Sequence, residues 1–142
     1  MKITILASTI ALMCVAQGAI AACGDTQIVD TNLTNLLSGS TVCVSNGSGG
    51  WENQEQHLSN GDLVDYKKGP SDPVDPTTKV GAWSISGTGT GTMVNYTYTD
   101  ASGSSGPFSF TVHSNDNINL SFCNGTTEVV AATLKNSIGS CP

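Results

Sequence analysis

The fold is decided by residues 79–113, KVGAWSISGTGTGTMVNYTYTDASGSSGPFSFTVH. Side chains along a β-strand point alternately to its two faces, so a period of two predicts which residues lie together. Trp83 and Ile85 alternate with small polar residues, and the same period recurs in 94–98 and 108–112. Glycine-rich turns separate these segments. The stretch therefore predicts three successive antiparallel strands, each apolar on one face and rich in Ser and Thr on the other.

This alternation predicts one continuous buried face, which the next strand along the chain extends. Aromatic and β-branched side chains suit a pleated surface that is buried on one side. The expected members of this face are Trp83, Ile85, Val94, Tyr96, Phe108, Phe110, Leu120 and Phe122.

One short helix is predicted near the beginning of the chain, between Thr31 and Gly39. Leu33, Leu36 and Leu37 fall at i, i+3 and i+4, which places them on one helical face. Thr31 is expected to cap the start of the helix, and Gly39 is expected to end it. Because two helical turns are marginal alone, the leucine face must dock against the sheet.

Further strands are expected on both sides of the central stretch. Residues 51–58 have an unclear period, but a hairpin turn at 59–62 favours a strand over a helical turn. The pair Asn124-Gly125 is a strong hairpin signal, and the apolar run at 129–132 predicts a last strand buried on both faces. The expected additional strands cover 41–44, 51–58, 63–67, 118–123 and 128–135.

The chain is therefore predicted to be all-β, an antiparallel meander of about eight strands joined by short local turns. Sheets of this size remove their edges by closing or by folding into two layers. A small up-and-down barrel with one short N-terminal helix is the expected architecture, and a two-sheet sandwich is the alternative.

The first 22 residues are predicted to be a secretory signal peptide. A positive start is followed by an apolar run, and Ala19-Ile20-Ala21 supplies small residues for cleavage after Ala21 or Ala22. Residues 23–142 would then form a single domain that is secreted or periplasmic, and no later stretch is long and apolar enough to span a membrane. The run Ile20-Ala21-Ala22-Cys23 also resembles a lipobox, so an outer-membrane lipoprotein attached through Cys23 is the alternative.

Four cysteines follow the predicted signal, and an even number in a small exported chain predicts two disulfides. Three pairings are possible. Local pairing, Cys23–Cys43 and Cys123–Cys141, is favoured, because it staples the helix to the first strand and the tail to the last. The rival pairing joins Cys43 to Cys123 and Cys23 to Cys141, as barrel closure would require.

Composition excludes several classes of partner. The 142 residues carry a formal net charge of −6 and no arginine. A nucleic-acid binder requires a basic face, which this chain lacks, and anionic membranes and phosphate ligands are disfavoured by the same charge. Gly-x-Ser-x-Gly and His-Glu-x-x-His motifs are both absent from the sequence, so no enzymatic activity is predicted.

A candidate binding site lies in the polar strand at 51–58. Trp51, Glu55 and His57 are expected on one strand face together with Asn53, and Tyr66 adds a ring suited to stacking on a flat ligand. A carboxylate two residues from a histidine can also serve as an acid/base pair or as two metal ligands. A polar strand at a surface or at a barrel mouth is the simpler interpretation, and no metal or other cofactor is expected.

Acidic residues also cluster around the proline-rich segment 68–76. Their carboxylates have the oxygen ligands that calcium prefers, but the spacing of an EF-hand is missing. A solvated acidic loop is the favoured interpretation of Asp62, Asp65, Asp72 and Asp75.

A predicted signal peptide, a short helix and a meander that contains Gly81-Ala82-Trp83 together resemble the lipocalin-like (calycin) proteins. The resemblance implies a ligand cavity inside the barrel. The chain also resembles small exported proteins of Gram-negative bacteria, a likeness that implies no activity. The leading hypothesis is an exported, non-enzymatic β-domain that binds a small apolar or flat ligand or a cell-surface partner.

Two other classes of function are kept beside this hypothesis. One is an adhesin-like or filament subunit that self-associates through exposed strand edges. The other is a small hydrolase or metal-dependent enzyme that uses Glu55 and His57.

Overall fold

The protein forms one closed antiparallel barrel, seen in a computed structural model that describes residues 22–65, 78–100 and 103–142. Each strand pairs with its neighbours in chain order, and β1 pairs with β8 to close the barrel. The elements are α1 (Asp30–Leu37), β1 (Ser40–Ser45), β2 (Trp51–His57), β3 (Asp62–Asp65), β4 (Thr78–Ser86), β5 (Met93–Asp100), β6 (Gly103–His113), β7 (Asn119–Asn124) and β8 (Thr127–Lys135). The predicted barrel with one short helix is confirmed, and the sandwich alternative is wrong.

The helix closes one end of the barrel. Leu33 and Leu37 are fully buried and Leu36 is half-buried, so the predicted leucine face docks as expected. The predicted cap is wrong, because the helix begins at Asp30 and its backbone N–H donates to the Thr92 side-chain oxygen. A residue of the β4–β5 connection therefore anchors the start of the helix in place of Thr31.

The interior of the barrel contains most of the predicted apolar face. Trp83, Val94, Tyr96, Leu120 and Phe122 are buried, while Ile85 and Phe110 pack against this core with partial exposure. Phe108 departs from the prediction, since 46% of its surface is exposed. Its ring belongs to the inward face but lies at the open end of the barrel, where no strand or helix covers it among the described residues.

Two strand predictions need correction. The sequence predicts a glycine-rich hairpin loop over 100–106, but the strand β6 begins at Gly103, and residues 103–105 of that segment pair with β5. The strand β8 is buried on one face only, because Val129 is 51% exposed and Ala131 is also exposed. Its apolar run reflects β-propensity on an outward face as well as burial on the inward one.

The disulfides join Cys23 to Cys123 and Cys43 to Cys141, so both the favoured local pairing and its rival are wrong. The segment before the helix pairs with the end of β6, which brings Cys23 against the neighbouring strand β7. The tail after β8 crosses β1, which brings Cys141 to Cys43. The sulfur of Cys23 is thus engaged in a disulfide, and the thioether of a lipoprotein would require the same atom.

Gly81 lies where β4 leaves no room for a side chain against β5. A Cβ atom built at this position would lie 2.0 Å from the Thr97 carbonyl oxygen. Backbone cannot yield as a flexible side chain can, so Gly81→Ala is expected to push the two strands apart and to lower the free energy of unfolding by about 1–3 kcal/mol. Urea denaturation of the purified variant measures this loss.

The matched control is Gly91→Ala, because a Cβ atom there meets no atom within 4 Å and the backbone is not left-handed. The control is expected to stay within about 0.5 kcal/mol of wild type, as surface substitutions usually do. Equal stability of the two variants would contradict the close approach at Gly81.

Candidate functional site

An unfilled cavity remains inside the barrel at the end opposite the helix, and we call it the cup. Its volume is about 150 Å³. The lining is predominantly apolar, and a carboxylate, an amide and two phenol groups are its polar members. It consists of Val42, Val44, Asn53, Glu55, Tyr96, Tyr98, Phe108, Phe110, Phe122 and Val130.

Glu55 is the carboxylate of the cup, and its partner comes from the far side of the barrel. The Tyr98 hydroxyl donates a hydrogen bond of 2.8 Å to Oε1 of Glu55. Burial raises the pKa of Glu55, the Tyr98 hydrogen bond opposes this rise, and the charge of Asp65 on β3 adds to it. The same burial, together with the nearby carboxylate, raises the pKa of Tyr98, so its hydroxyl remains a neutral donor.

His57 lies below the cup, inside the core of the barrel. Its side chain is completely buried, and both ring nitrogens are engaged. Nδ1 donates to the Glu55 backbone carbonyl at 3.2 Å, which leaves Nε2 to accept from the Tyr96 hydroxyl at 2.9 Å. Burial lowers the pKa of His57 to about 4, so the imidazole is neutral near pH 7.

The predicted group of site residues is thus only partly assembled. Glu55 lines the cup, but His57 contacts its backbone carbonyl rather than its carboxylate, so the two side chains do not form an acid/base pair in this arrangement. His57 also edges against the Trp83 ring, with ring centroids 5.2 Å apart. Its position is that of a core residue that fixes Tyr96.

Trp51 does not share the interior face with Glu55 and His57. The β1–β2 pairing shifts register, since Val44 pairs with Asn53 and Ser45 with Trp51, so the extra residue Glu52 breaks the alternation between Trp51 and Asn53. Its indole N–H instead donates to the Pro142 carbonyl oxygen at 2.8 Å. The bulge therefore turns Trp51 toward the C-terminal tail, and the prediction of a common face is wrong for this residue.

Three of the predicted ligand or acidic residues fall outside the described residues, namely Tyr66, Asp72 and Asp75. Of the other two aspartates, Asp62 forms an ion pair with Lys79, and Asp65 lies opposite Glu55 in the β2–β3 register. Among the described residues, no three His, Cys, Asp or Glu side chains gather in a way that would hold a metal ion.

A second depression lies at the helix end of the barrel. It has a volume of about 690 Å³ and runs between α1, the segment before it and the β6–β7 turn. Its lining includes Asn32, Asn35, Asn115, Asn117 and Asn136, all exposed to solvent. Exposed amides bind water readily, and a ligand gains little by replacing it. The apolar cup is therefore the stronger candidate for a binding site.

The sequence did not predict that Tyr98 and Phe108 belong to the site. Tyr98 pairs with the interior Gly81, and its ring centroid lies 6.1 Å from that of Phe108. Their alternation predicted an inward direction, but only closure of the barrel brings β5 and β6 opposite β2. A period of two indicates a face and contains no information on which residues meet across the interior.

Comparison of the chain with protein-family models, with curated proteins and with solved structures finds no match. In the part of the chain that the structure describes, no helix has the length and hydropathy needed to cross a membrane.

Proposed function

We propose that this protein is a binding module that holds one small, flat and largely apolar molecule in the cup. The observation that carries the proposal is Phe108, an inward-facing aromatic ring that is 46% exposed beside unfilled space. A well-packed interior leaves few voids, and an exposed apolar surface next to one is typical of a ligand site. The volume, about 150 Å³, is of the size at which apolar cavities hold a single aromatic ring.

Two features support a binding role over the other classes. All eight strands are paired in the closed barrel, so no described strand offers the free edge on which filament assembly would depend. His57 is fully buried with both nitrogens engaged, which leaves no exposed histidine next to Glu55 for acid/base chemistry. A binding module requires neither a free strand edge nor an exposed histidine.

We also propose that the protein acts outside the cytoplasm. Two disulfides support this compartment, because such bonds persist in oxidising surroundings. The signal peptide predicted at residues 1–22 also supports a location outside the cytoplasm. Its first 21 residues lie outside the described part of the chain. We further propose that the protein is lipocalin-like, because that resemblance implies a barrel with an internal ligand site.

Filling the cup should abolish binding. Val130 lines the cup, whereas its neighbour Val129 is 51% exposed on the outside of the same strand. Val130→Phe is expected to weaken binding of toluene or indole by about tenfold or more, because the added ring occupies the ligand's space. Ligand-detected NMR with these two compounds measures the affinity.

The matched control is Val129→Phe, which adds the same ring one residue away on the outer face. It is expected to bind both probes as wild type does. If the Val130→Phe variant bound the probes as tightly as wild type does, the binding site would have to lie outside the cup. Absence of binding by the wild-type protein would remove the proposed function.

A further inference from the structure

The cup contains a group that a purely apolar ligand would not need. Burying a carboxylate is unfavourable unless charge or hydrogen bonds compensate for the lost water. Glu55 nevertheless projects its carboxylate among the cup's rings, and Asp65 lies directly opposite it in the β2–β3 register. Two acidic groups on adjacent strands repel each other, and the charge of Asp65 contributes to the raised pKa of Glu55.

One hydrogen bond to Glu55 comes from the protein itself. Tyr98 satisfies Oε1, and within the described part of the chain Oε2 has no hydrogen-bond donor. A donor from a bound ligand would complete the carboxylate. The donor that gains most from this position is a positively charged one, because charge-assisted hydrogen bonds are about twice as strong as neutral ones.

The rings around Glu55 favour the same ligand chemistry. Tyr98 lies within 6.3 Å of Tyr96 and 6.1 Å of Phe108, measured between ring centroids. Aromatic faces attract ammonium groups, and the attraction grows when water is excluded. The formal net charge of −6 further draws cations toward the protein and repels anions.

We propose that the ligand of the cup is a small organic cation, a primary ammonium attached to a flat, aromatic body. Its ammonium group donates to the Glu55 carboxylate beside Tyr98, and its apolar body occupies the space between Phe108, Phe110 and Val130. This inference rests on the proposed binding function and names the chemical class of its ligand.

Proton linkage gives the proposal a second, independent signature. Among the described residues, the titratable groups near Glu55 are Asp65 on β3, Tyr96 and Tyr98 on β5, and His57 on its own strand. Burial and Asp65 raise the pKa of Glu55 in the empty cup, whereas a bound ammonium would lower it again. His57 stays neutral above its pKa of about 4, and burial keeps both tyrosine hydroxyls protonated. None of these three side chains therefore supplies a negative charge to pair with the ammonium group. Binding should therefore release a proton from Glu55.

The test compares three probes of similar shape on the full protein. Benzylamine carries an ammonium group, benzyl alcohol is its neutral counterpart, and benzoate is an anion. Titration calorimetry is expected to show benzylamine binding about tenfold or more tightly than benzyl alcohol, with no binding of benzoate. Below the pKa of Glu55, the affinity for benzylamine should rise by up to about tenfold for each unit of pH.

Two variants assign the effect to one carboxylate. Glu55→Gln retains an oxygen that can accept from Tyr98 but removes the charge, and it should reduce benzylamine binding to the level of benzyl alcohol. Unchanged binding of benzyl alcohol confirms that the variant folds. Glu52→Gln removes the same charge from an exposed position on the same strand, and it should leave all affinities unchanged.

The possible failures are distinguishable. Equal binding of benzylamine and benzyl alcohol would overturn the ammonium proposal and leave the binding function intact. Equal losses in Glu52→Gln and Glu55→Gln would also overturn it, because overall charge would then explain the preference. Absence of binding by all three probes, together with toluene and indole, would overturn both proposals.

Discussion

Replacing both Cys43 and Cys141 by serine is expected to lower the free energy of unfolding by about 4–5 kcal/mol. The bond joins residues 98 positions apart, so it closes almost the whole domain into one loop. In the chain-entropy model, closing a loop of about 100 residues lowers the conformational entropy of the unfolded chain, which stabilises the folded protein by about 4.7 kcal/mol. Since small domains are stable by about 5–15 kcal/mol in total, this loss approaches the lower limit of that range.

Urea denaturation of the double variant measures the loss, and the variant Cys23→Ser/Cys123→Ser is the matched comparison. That bond spans 100 residues, so the two double variants should lose nearly equal stability. Non-reducing peptide mapping of the wild-type protein should link the peptide of Cys43 to that of Cys141. A link between the peptides of Cys23 and Cys43 would restore the local pairing, for which loops of about 20 residues give about 3 kcal/mol each.

The sequence predicted the disulfide partners incorrectly because pairing depends on where the two ends of the chain cross the barrel. Local spacing suggested staples around the helix and the last strand. The segment before the helix instead lies against β6, where Ile28 N–H donates to the Val112 carbonyl oxygen. The tail lies over β1 and β2, where Cys141 N–H donates to the Gln54 side chain. Both contacts join residues that are more than 80 positions apart in the sequence, so local sequence patterns do not predict them.

Most of the barrel itself was predictable, because local signals determine local elements. Alternation located the central strands, and glycine at left-handed turn positions such as Gly61 and Gly125 marked the hairpins. Short connections then required each strand to pair with the next. Errors arose where one residue broke the period, as at the bulge between Trp51 and Asn53, or where a strand extended past its apolar residues, as in β6.

The candidate site was predictable only in part. Glu55 was identified from its own strand, but its contact with Tyr98 spans 43 residues of sequence and the interior of the barrel. His57 was also identified, although as a surface group near Glu55. Alternation places both side chains inward and cannot distinguish a position at the open end from one in the core two residues further on.

Acidification is expected to reduce the free energy of unfolding by about 3 kcal/mol through His57 alone. Burial lowers the pKa of this imidazole from 6.5 to about 4. In the unfolded chain His57 takes up a proton below its ordinary pKa, whereas the folded protein resists protonation until about pH 4. The stability is therefore fully present above about pH 6.5 and declines as pH falls toward 4, at about 1.36 kcal/mol for each unit of pKa difference.

Glu55 acts in the opposite direction over part of this range. Its pKa is raised in the folded protein, so the folded state holds a proton that the unfolded chain has already released. Stability from Glu55 is thus lost as pH rises through its folded pKa, and it masks part of the His57 effect. Glu55→Gln removes this opposing contribution and should steepen the loss of stability on acidification.

The variant that tests the contribution of His57 is His57→Gln. The glutamine amide can accept a hydrogen bond from the Tyr96 hydroxyl but does not titrate. Urea denaturation at pH values between about 4 and 7 should show a shallower dependence on pH than in wild type, because the linked proton is gone. Asp116 does not interfere, since hydrogen bonds from the backbone at 118 and 119 lower its pKa to about 2. An unchanged slope in His57→Gln would mean that the buried imidazole is not neutral in the folded barrel, and the hydrogen bond assigned to Tyr96 would then have to run from His57 to the phenol oxygen.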